Sequence, residues 1–124
     1  MQQPLAILFY EKVLPGSLLV NRLQDLKYRV QPVSELGKLA ESARAGGPML
    51  ILADLESNQG DVSEAIARLR KDPATGHIPI IAFVDEGAAV LEQSAQLAGA
   101  TMVVTDAAIV AHLPQFLEQA LRVE

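Results

Sequence analysis

The sequence predicts an α/β fold in which a doubly wound, five-stranded parallel sheet carries helices on both faces. Apolar runs of strand length alternate along the chain with segments whose apolar residues recur at helical spacing. Half of the 124 residues are apolar but only 4% are aromatic, so the core must be aliphatic. This composition suits parallel strands that are buried on both faces. Right-handed crossovers between parallel strands then distribute the helices over both faces.

Five strands are predicted from the apolar runs. The third run, MLILA, is the most apolar and indicates a central strand, whereas the second is short and more polar. We assign the second run to an edge, where Pro32 is tolerated because an edge strand has unpaired N–H positions. The predicted strands cover residues 4–10, 28–33, 49–53, 78–84 and 101–105.

Five helices are predicted between and after these strands. Asp61, with Glu64 three residues later, forms a capping-box pattern that begins the third helix. Its inner face is expected to consist of Val62, Ala65, Ile66 and Leu69. The other helices are expected over residues 17–26, 34–45 with Ser34 as N-cap, 86–97, and 108–121, where Pro114 should shorten or bend the helix.

Length and composition limit the possible functions. A chain of 124 residues without linker or repeat is expected to form one domain over residues 1–124. A formal net charge of −5 argues against direct nucleic-acid binding, and the absence of cysteine excludes disulfides and thiolate metal sites. The first residues lack a basic region, and no apolar run reaches the roughly 18 residues of a membrane span. We therefore expect a cytoplasmic protein that does not enter a membrane.

Several polar side chains follow the predicted strands directly. The carboxyl ends of parallel strands are where such sheets bind ligands. A carboxylate after a buried strand is costly unless a cation or water is near, so Asp54 requires an explanation. The residues that the first, third, fourth and fifth strands bring to this edge are Glu11, Lys12, Asp54, Val84, Asp85, Thr105 and Asp106.

Nearly the whole chain resembles the receiver domain of bacterial response regulators. The segment MLILADLESNQGDVSEAIARLRKDPATGHIPIIAFV is similar to the central part of that family, and AGATMVVT resembles the approach to its fifth strand. The resemblance implies a flavodoxin-like strand order of 2-1-3-4-5. It also implies that Asp54 occupies the phospho-acceptor position, with Asp61 as the helix-capping acid seven residues later.

The supporting positions of the implied phosphorylation pocket depart from the family pattern. Receivers carry two adjacent acids after the first strand, which bind Mg²⁺, and here these are Glu11 and Lys12. Receivers place Ser or Thr at the end of the fourth strand and a Lys-Pro pair after the fifth, where this chain has Val84 and then Asp106-Ala107. The degenerate pocket around Asp54 therefore consists of Glu11, Lys12, Val84, Thr105 and Asp106.

These departures predict a pseudo-receiver, a non-enzymatic module that keeps the fold and signals through protein contacts. Phosphoryl transfer needs positive charge around the developing oxygens, and this edge offers four acids against one lysine. No catalytic residue and no cofactor are assigned, and Glu11 and Asp54 are only weak candidates for metal ligands. Lys12 is either a counter-ion to Asp54 or a solvated surface lysine. His77 and His112 are expected at the surface.

Two alternatives stay open. The first alternative is an atypical active receiver that is phosphorylated on Asp54 with Mg²⁺. The second is a small flavodoxin-like enzyme or ligand binder. The resemblance implies a histidine kinase, an output domain or a second copy of the chain as partner. The expected contact face, formed by the fourth helix, fifth strand and fifth helix, includes Ala88 to Leu91, Met102 to Val104, Ala107, Ile109 and Val110.

Overall fold

The computed structural model describes residues 3–121, apart from the side chain of residue 13. Strands and helices alternate as the sequence predicts, with one short 3₁₀ turn at Leu36–Lys38 before the second helix. The elements are β1 (Leu5–Phe9), α1 (Val13–Asp25), β2 (Arg29–Val33), α2 (Leu39–Gly46), β3 (Leu50–Asp54), α3 (Val62–Lys71), β4 (Ile80–Val84), α4 (Ala89–Ala98), β5 (Met102–Thr105), α5 (Asp106–Ala111) and α6 (Leu113–Leu121).

All five strands are parallel and lie in the order β2-β1-β3-β4-β5, which confirms the predicted fold class. The second strand is an edge strand, as its polarity indicated, and every residue of β3 and β4 is buried. The chain leaves β1 toward β2 on one side and returns to β3 on the other. The carboxyl ends of β1 and β3 therefore flank the topological switch point, where such sheets form their binding crevice.

The two faces of the sheet have separate aliphatic cores. Alternate residues of each strand point to opposite faces, so that Ile7 and Phe9 join one core while Ala6 and Leu8 join the other. The first core is closed by α2, α3 and α4, and the second by α1, α5 and α6. The predicted inner face of α3 is confirmed, since Val62, Ile66 and Leu69 are buried and Ala65 packs against them.

The last helical segment differs from the prediction, because it forms two helices separated at His112. Pro114 has no N–H to donate to the carbonyl four residues earlier, so a continuous helix is interrupted there. It lies instead in the first turn of α6, where the missing donor costs little. The first part also begins earlier than predicted, at Asp106, because the Thr105 hydroxyl accepts a hydrogen bond from the Ala108 N–H at 3.1 Å.

Other helix starts also shift. Ser34 is not an N-cap, since α2 begins at Leu39 after the 3₁₀ turn and has no side-chain cap. The fourth helix begins at Ala89, because Gly87 adopts a left-handed φ of 93° in the turn before it. Asp61 caps α3 as predicted, accepting from the Glu64 N–H at 3.3 Å. The α1 segment starts at Val13, four residues earlier than predicted, but Leu14 has extended backbone angles and the continuous helix runs from Pro15.

Arg70, at the end of α3, ties together three segments near the amino edge of the sheet. Its Nε donates to the Gly99 carbonyl at 2.7 Å and its Nη1 to the carbonyls of Gly76 at 3.0 Å and Ile78 at 2.6 Å. Its Nη2 lies 2.9 Å from the Thr101 hydroxyl. One planar guanidinium therefore satisfies backbone carbonyls that follow α3 and α4, which a lysine cannot do in the same geometry.

No helix within residues 3–121 combines the length and the apolar character that crossing a membrane would require.

Replacing Arg70 should destabilise the fold measurably. We expect Arg70→Ala to lower the free energy of unfolding by about 2 kcal/mol, because several partly buried carbonyls lose their donor. The measurement is urea denaturation followed by circular dichroism. Arg68→Ala is the matched control, since the exposed Arg68 guanidinium forms a surface ion pair with Glu64, and it should cost about 0.5 kcal/mol or less. Equal losses in the two variants would contradict the role given to Arg70.

Candidate functional site

The carboxyl edge of the sheet brings the residues that follow β1, β3 and β5 to one place. Asp54 is the last residue of β3, and its side chain is only 1% exposed. Lys12 follows β1, Glu56 lies two residues after β3, and Asp106 follows β5 directly. Because the ends of β1 and β3 flank the switch point, the side chains of neighbouring strands meet around Asp54.

Lys12 is the cation at the centre of this edge. Its Nζ lies 3.0 Å from Glu56 Oε1, 3.6 Å from Asp106 Oδ2 and 3.7 Å from Asp54 Oδ2. The side chain is 38% exposed, so the ammonium reaches inward from the rim of the pocket. Of the two interpretations of Lys12, the geometry agrees with the counter-ion and not with a solvated surface lysine.

The environment of Asp54 explains how a buried carboxylate is accommodated. Burial raises the pKa of Asp54, while the Glu56 N–H and the Lys12 ammonium oppose that shift. The N–H donates to Asp54 Oδ1 at 2.9 Å, whereas Asp54 Oδ2 accepts no hydrogen bond from the described residues and faces Lys12. Burial alone would lower the pKa of Lys12, but its hydrogen bond to Glu56 and the nearby carboxylates raise it. Lys12 therefore carries its charge.

Asp85 and Asp106 influence each other's ionisation beside Lys12. Burial and a side-chain hydrogen bond with Asp85 raise the pKa of Asp106 to about 7, against the opposing charge of Lys12. The same hydrogen bond lowers the pKa of Asp85. Two carboxyl groups can hydrogen-bond to each other only when one of them holds a proton. Asp106 is therefore protonated below about pH 7, and its buried Oδ1 atom accepts no hydrogen bond from the described residues.

Glu11 points away from this group and toward the loop after β3. Its carboxylate accepts hydrogen bonds from the Ser57 hydroxyl and, at 3.4 Å, from the Asn58 N–H. Among the described residues, the acids whose oxygens lie within 4.8 Å of one another are Asp54, Glu56 and Asp106. Of the two weak candidates for metal ligands, the structure thus places Asp54 in an acidic group and Glu11 outside it.

This acidic group does not fit a Mg²⁺ ion. Mg²⁺ requires close to octahedral coordination by oxygens at about 2.0–2.1 Å. The ammonium of Lys12 lies among the three carboxylates that would supply those oxygens, at 3.0–3.7 Å from each. A divalent ion and this ammonium would repel each other at such distances. In this arrangement, the cation that faces the three carboxylates is the Lys12 ammonium.

Two further positions of the predicted pocket serve the fold. Val84 is buried in the core closed by α2, α3 and α4 and has no hydroxyl to offer. The Thr105 hydroxyl caps α5 through the Ala108 N–H. His77 and His112 are exposed, as predicted.

Glu56 is the functional residue that the sequence interpretation missed. It accepts from Lys12 Nζ at 3.0 Å and from the Asp85 N–H at 3.1 Å, so it joins the loops after β1, β3 and β4. The available signal was its place two residues beyond Asp54, at the same sheet edge. The direction of the Glu56 side chain depends on the conformation of the loop after β3, which residue spacing along the sequence does not determine.

Comparisons with known proteins agree with this architecture. No protein-family model matches the sequence, and no curated protein is significantly similar to it. Many solved structures share the fold. A protein of Chloroflexus aurantiacus described as a response regulator is 16% identical, with a TM-score of 0.89 over 97% of this chain and 98% of its own.

Two further solved structures are similar over almost their whole length. The receiver domain of a sensor histidine kinase of Pseudomonas aeruginosa, which has a magnesium ion coordinated in its active-site cleft, is 21% identical with a TM-score of 0.86 and covers 98% of both chains. A chemotaxis response regulator of Vibrio cholerae is 17% identical with a TM-score of 0.85, over 97% of this chain and 100% of its own. This chain therefore has the fold of response-regulator receiver domains.

Proposed function

We propose that this protein is a receiver-like signalling module of a two-component or phosphorelay system that acts through protein contacts, without routine phosphorylation of Asp54. The observation that carries the proposal is the Lys12 ammonium, held among the carboxylates of Asp54, Glu56 and Asp106. A covalently attached cation thus takes the central place in the pocket. The module is a pseudo-receiver and not an enzyme.

The electrostatics of the pocket oppose phosphoryl transfer. The transition state of that reaction carries negative charge on its oxygens and needs donors and cations placed around them. Here the one nearby ammonium is already engaged by three carboxylates, and Asp106 adds negative charge once its proton is lost. Val84 supplies no hydroxyl. Each such missing contact costs about 10²–10³ in rate.

The partner face is the surface of α4, β5 and α5. On it Val90 is 78% exposed, whereas Ile109 is buried and belongs to the core. The side chains of Met102, Val103 and Val104 are partly buried against the cores. The resemblance implies three partner types: a histidine kinase, an output domain and a second copy of the chain. Each of them would bind at this face, in the cytoplasm.

One observation favours the alternative of an atypical, active receiver. Asp54 Oδ2 accepts no hydrogen bond from the described residues, so this oxygen is not tied up by a donor. Under that alternative, Mg²⁺ binds beside Asp54, and the Lys12 side chain moves out toward solvent. The receiver domain of the Pseudomonas aeruginosa kinase does hold magnesium in its cleft. Titration with Mg²⁺ followed by NMR separates the two functions, since only the active receiver binds the ion near Asp54.

Incubation with acetyl phosphate and Mg²⁺ should leave the protein unmodified. We expect intact-mass spectrometry to show no phosphoryl adduct, because the pocket lacks free positive charge to stabilise the transition state. A functional receiver domain treated in parallel verifies the reagents. Stoichiometric labelling that disappears in Asp54→Asn would overturn the proposal in favour of the active receiver.

Removing the Lys12 charge should destabilise the protein through Asp54. We expect Lys12→Met to lower the free energy of unfolding at pH 7 by about 1–3 kcal/mol, because a buried carboxylate loses its cation. In an Asp54→Asn background the same substitution should cost much less. Lys38→Met is the exposed control. A double-mutant cycle from urea denaturation measures the coupling, and a coupling near zero would show that Lys12 does not compensate Asp54.

The ionisation of Asp106 should make stability pH-dependent near neutrality. Asp106 ionises near 3.8 in the unfolded chain but at about 7 in the folded protein. Between these values the folded state binds more protons, so its contribution to stability falls as pH rises and is lost above about pH 7. Asp106→Asn should flatten the decrease in the free energy of unfolding over this range.

The titration itself can be followed at the Asp106 carboxyl carbon by NMR. We expect an inflection near pH 7, and we expect Asp85→Asn to shift it to lower pH. The reason is that the hydrogen bond and the charge of Asp85 both raise the pKa of Asp106. An inflection that is identical with and without the Asp85 carboxylate would show that Asp85 does not influence the ionisation of Asp106.

A further inference from the structure

A groove of about 600 Å³ opens next to the Lys12 pocket, between the loop after β1 and the first turns of α3 and α4. Three acids line it, Glu11, Glu56 and Asp61, and Lys12 is the one basic side chain among the described lining residues. Its volume lies within the range of about 300–1,000 Å³ that is usual for ligand sites. The groove is therefore large enough to receive side chains of another molecule.

The charge in this groove is negative and only partly compensated. Lys12 is engaged by Glu56 and by the two aspartates behind it. Within residues 3–121, neither Glu11 nor Asp61 forms an ion pair with a basic side chain. The groove therefore repels phosphate, nucleic acid and acidic peptides, and it attracts a cationic group.

The interior of the groove is not only acidic. Leu55 and Val62 are buried beneath it, and Leu91 is exposed at its side. Ser63 also lines it and is only 7% exposed, yet its hydroxyl forms no hydrogen bond with the described residues. The Ser63 hydroxyl is therefore available as a donor or acceptor to a group that enters the groove. Apolar contacts beneath, a free hydroxyl and carboxylates at the rim suit an arginine or lysine side chain, which has an apolar stem and a charged end.

The surface beside the groove favours a peptide over a small cation. Val90 is adjacent to Leu91, and Leu97, seven residues further along α4, lies on the same helix face as Val90. These two side chains are 78% and 83% exposed. Apolar side chains this exposed next to an acidic groove would be covered by a chain segment that carries both apolar and basic residues, but not by a polyamine.

We propose that the groove between α3 and α4 binds a basic segment of a partner protein, with arginine or lysine side chains between Glu11 and Asp61 and apolar side chains against α4. This inference rests on the proposed function as an interaction module. It places the basic contacts on the α3 side of α4, beside the face of α4, β5 and α5. The pocket of Lys12 then acts as the inner boundary of the binding surface.

Fluorescence anisotropy with defined probes tests the proposal. The probe is a labelled peptide of repeated Leu-Arg-Arg units, compared with its Leu-Glu-Glu counterpart and with spermidine as competitor. We expect the basic peptide to bind, the acidic one not to bind, and spermidine to displace the basic peptide poorly. Added salt should weaken binding because rim charges are screened.

Substitutions in the groove locate the binding. Glu11→Gln and Asp61→Asn should each weaken binding about two- to fivefold, the usual worth of an exposed ion pair. Both replacements keep a hydrogen-bond acceptor, and asparagine still caps a helix, so the fold is preserved. Leu91→Ser should weaken binding as well. Glu41→Gln, an exposed acid on α2, is the matched control and should leave binding unchanged.

Three results would overturn the inference: no binding of the basic peptide, binding that the groove variants leave unchanged, or displacement by spermidine at equal charge concentration. The last would identify a small-cation site. These outcomes are independent of the acetyl phosphate experiment, which tests the proposed function itself. If the protein is not phosphorylated and does not bind the basic peptide, the proposed function is supported and the inference about the partner is overturned.

Discussion

The pairing of the Lys12 ammonium with the buried Asp54 carboxylate is the interaction on which the carboxyl edge of the sheet depends. A carboxylate with a side chain 1% exposed must be compensated, and the switch between β1 and β3 places the compensating lysine on the neighbouring strand end. Glu56 and Asp106 then share the same ammonium, and the excess of negative charge is reduced by a proton on Asp106. Charge balance thus organises three loops that come from different parts of the chain.

Glu56 connects this balance to the helices that surround it. It binds Lys12 through its side chain, accepts from the Asp85 N–H with the same oxygen, and donates its own N–H to Asp54. The loop leading into α4 is therefore held by a contact whose strength depends on the position of Lys12. A partner that engages α4 and a change of charge near Lys12 would act on the same hydrogen bond, which gives a physical route between the pocket and the surface.

Much of this arrangement could be predicted from the sequence, and the exceptions have definite causes. The alternating periodicities gave the strand count and the two helical layers, and Asp54, Lys12 and Asp106 were expected at one edge because parallel strands end together. The sequence did not predict the position of the break at His112. Pro114 is compatible with a bend, a delayed helix start or a second helix, and packing selects among these. The use of the Thr105 hydroxyl as a cap and the inward direction of Glu56 depend on loop dihedrals, which residue spacing does not encode.

A lysine differs from a metal ion in one further respect, which follows from its attachment to β1. A bound ion exchanges with solvent and its occupancy follows its concentration, whereas a tethered ammonium is present at a fixed, high effective concentration. Under the proposed function, the charge that Lys12 places in the pocket does not depend on chelators or on the supply of divalent ions. The electrostatic state of the pocket changes when the lysine side chain moves or when its carboxylate neighbours gain or lose protons.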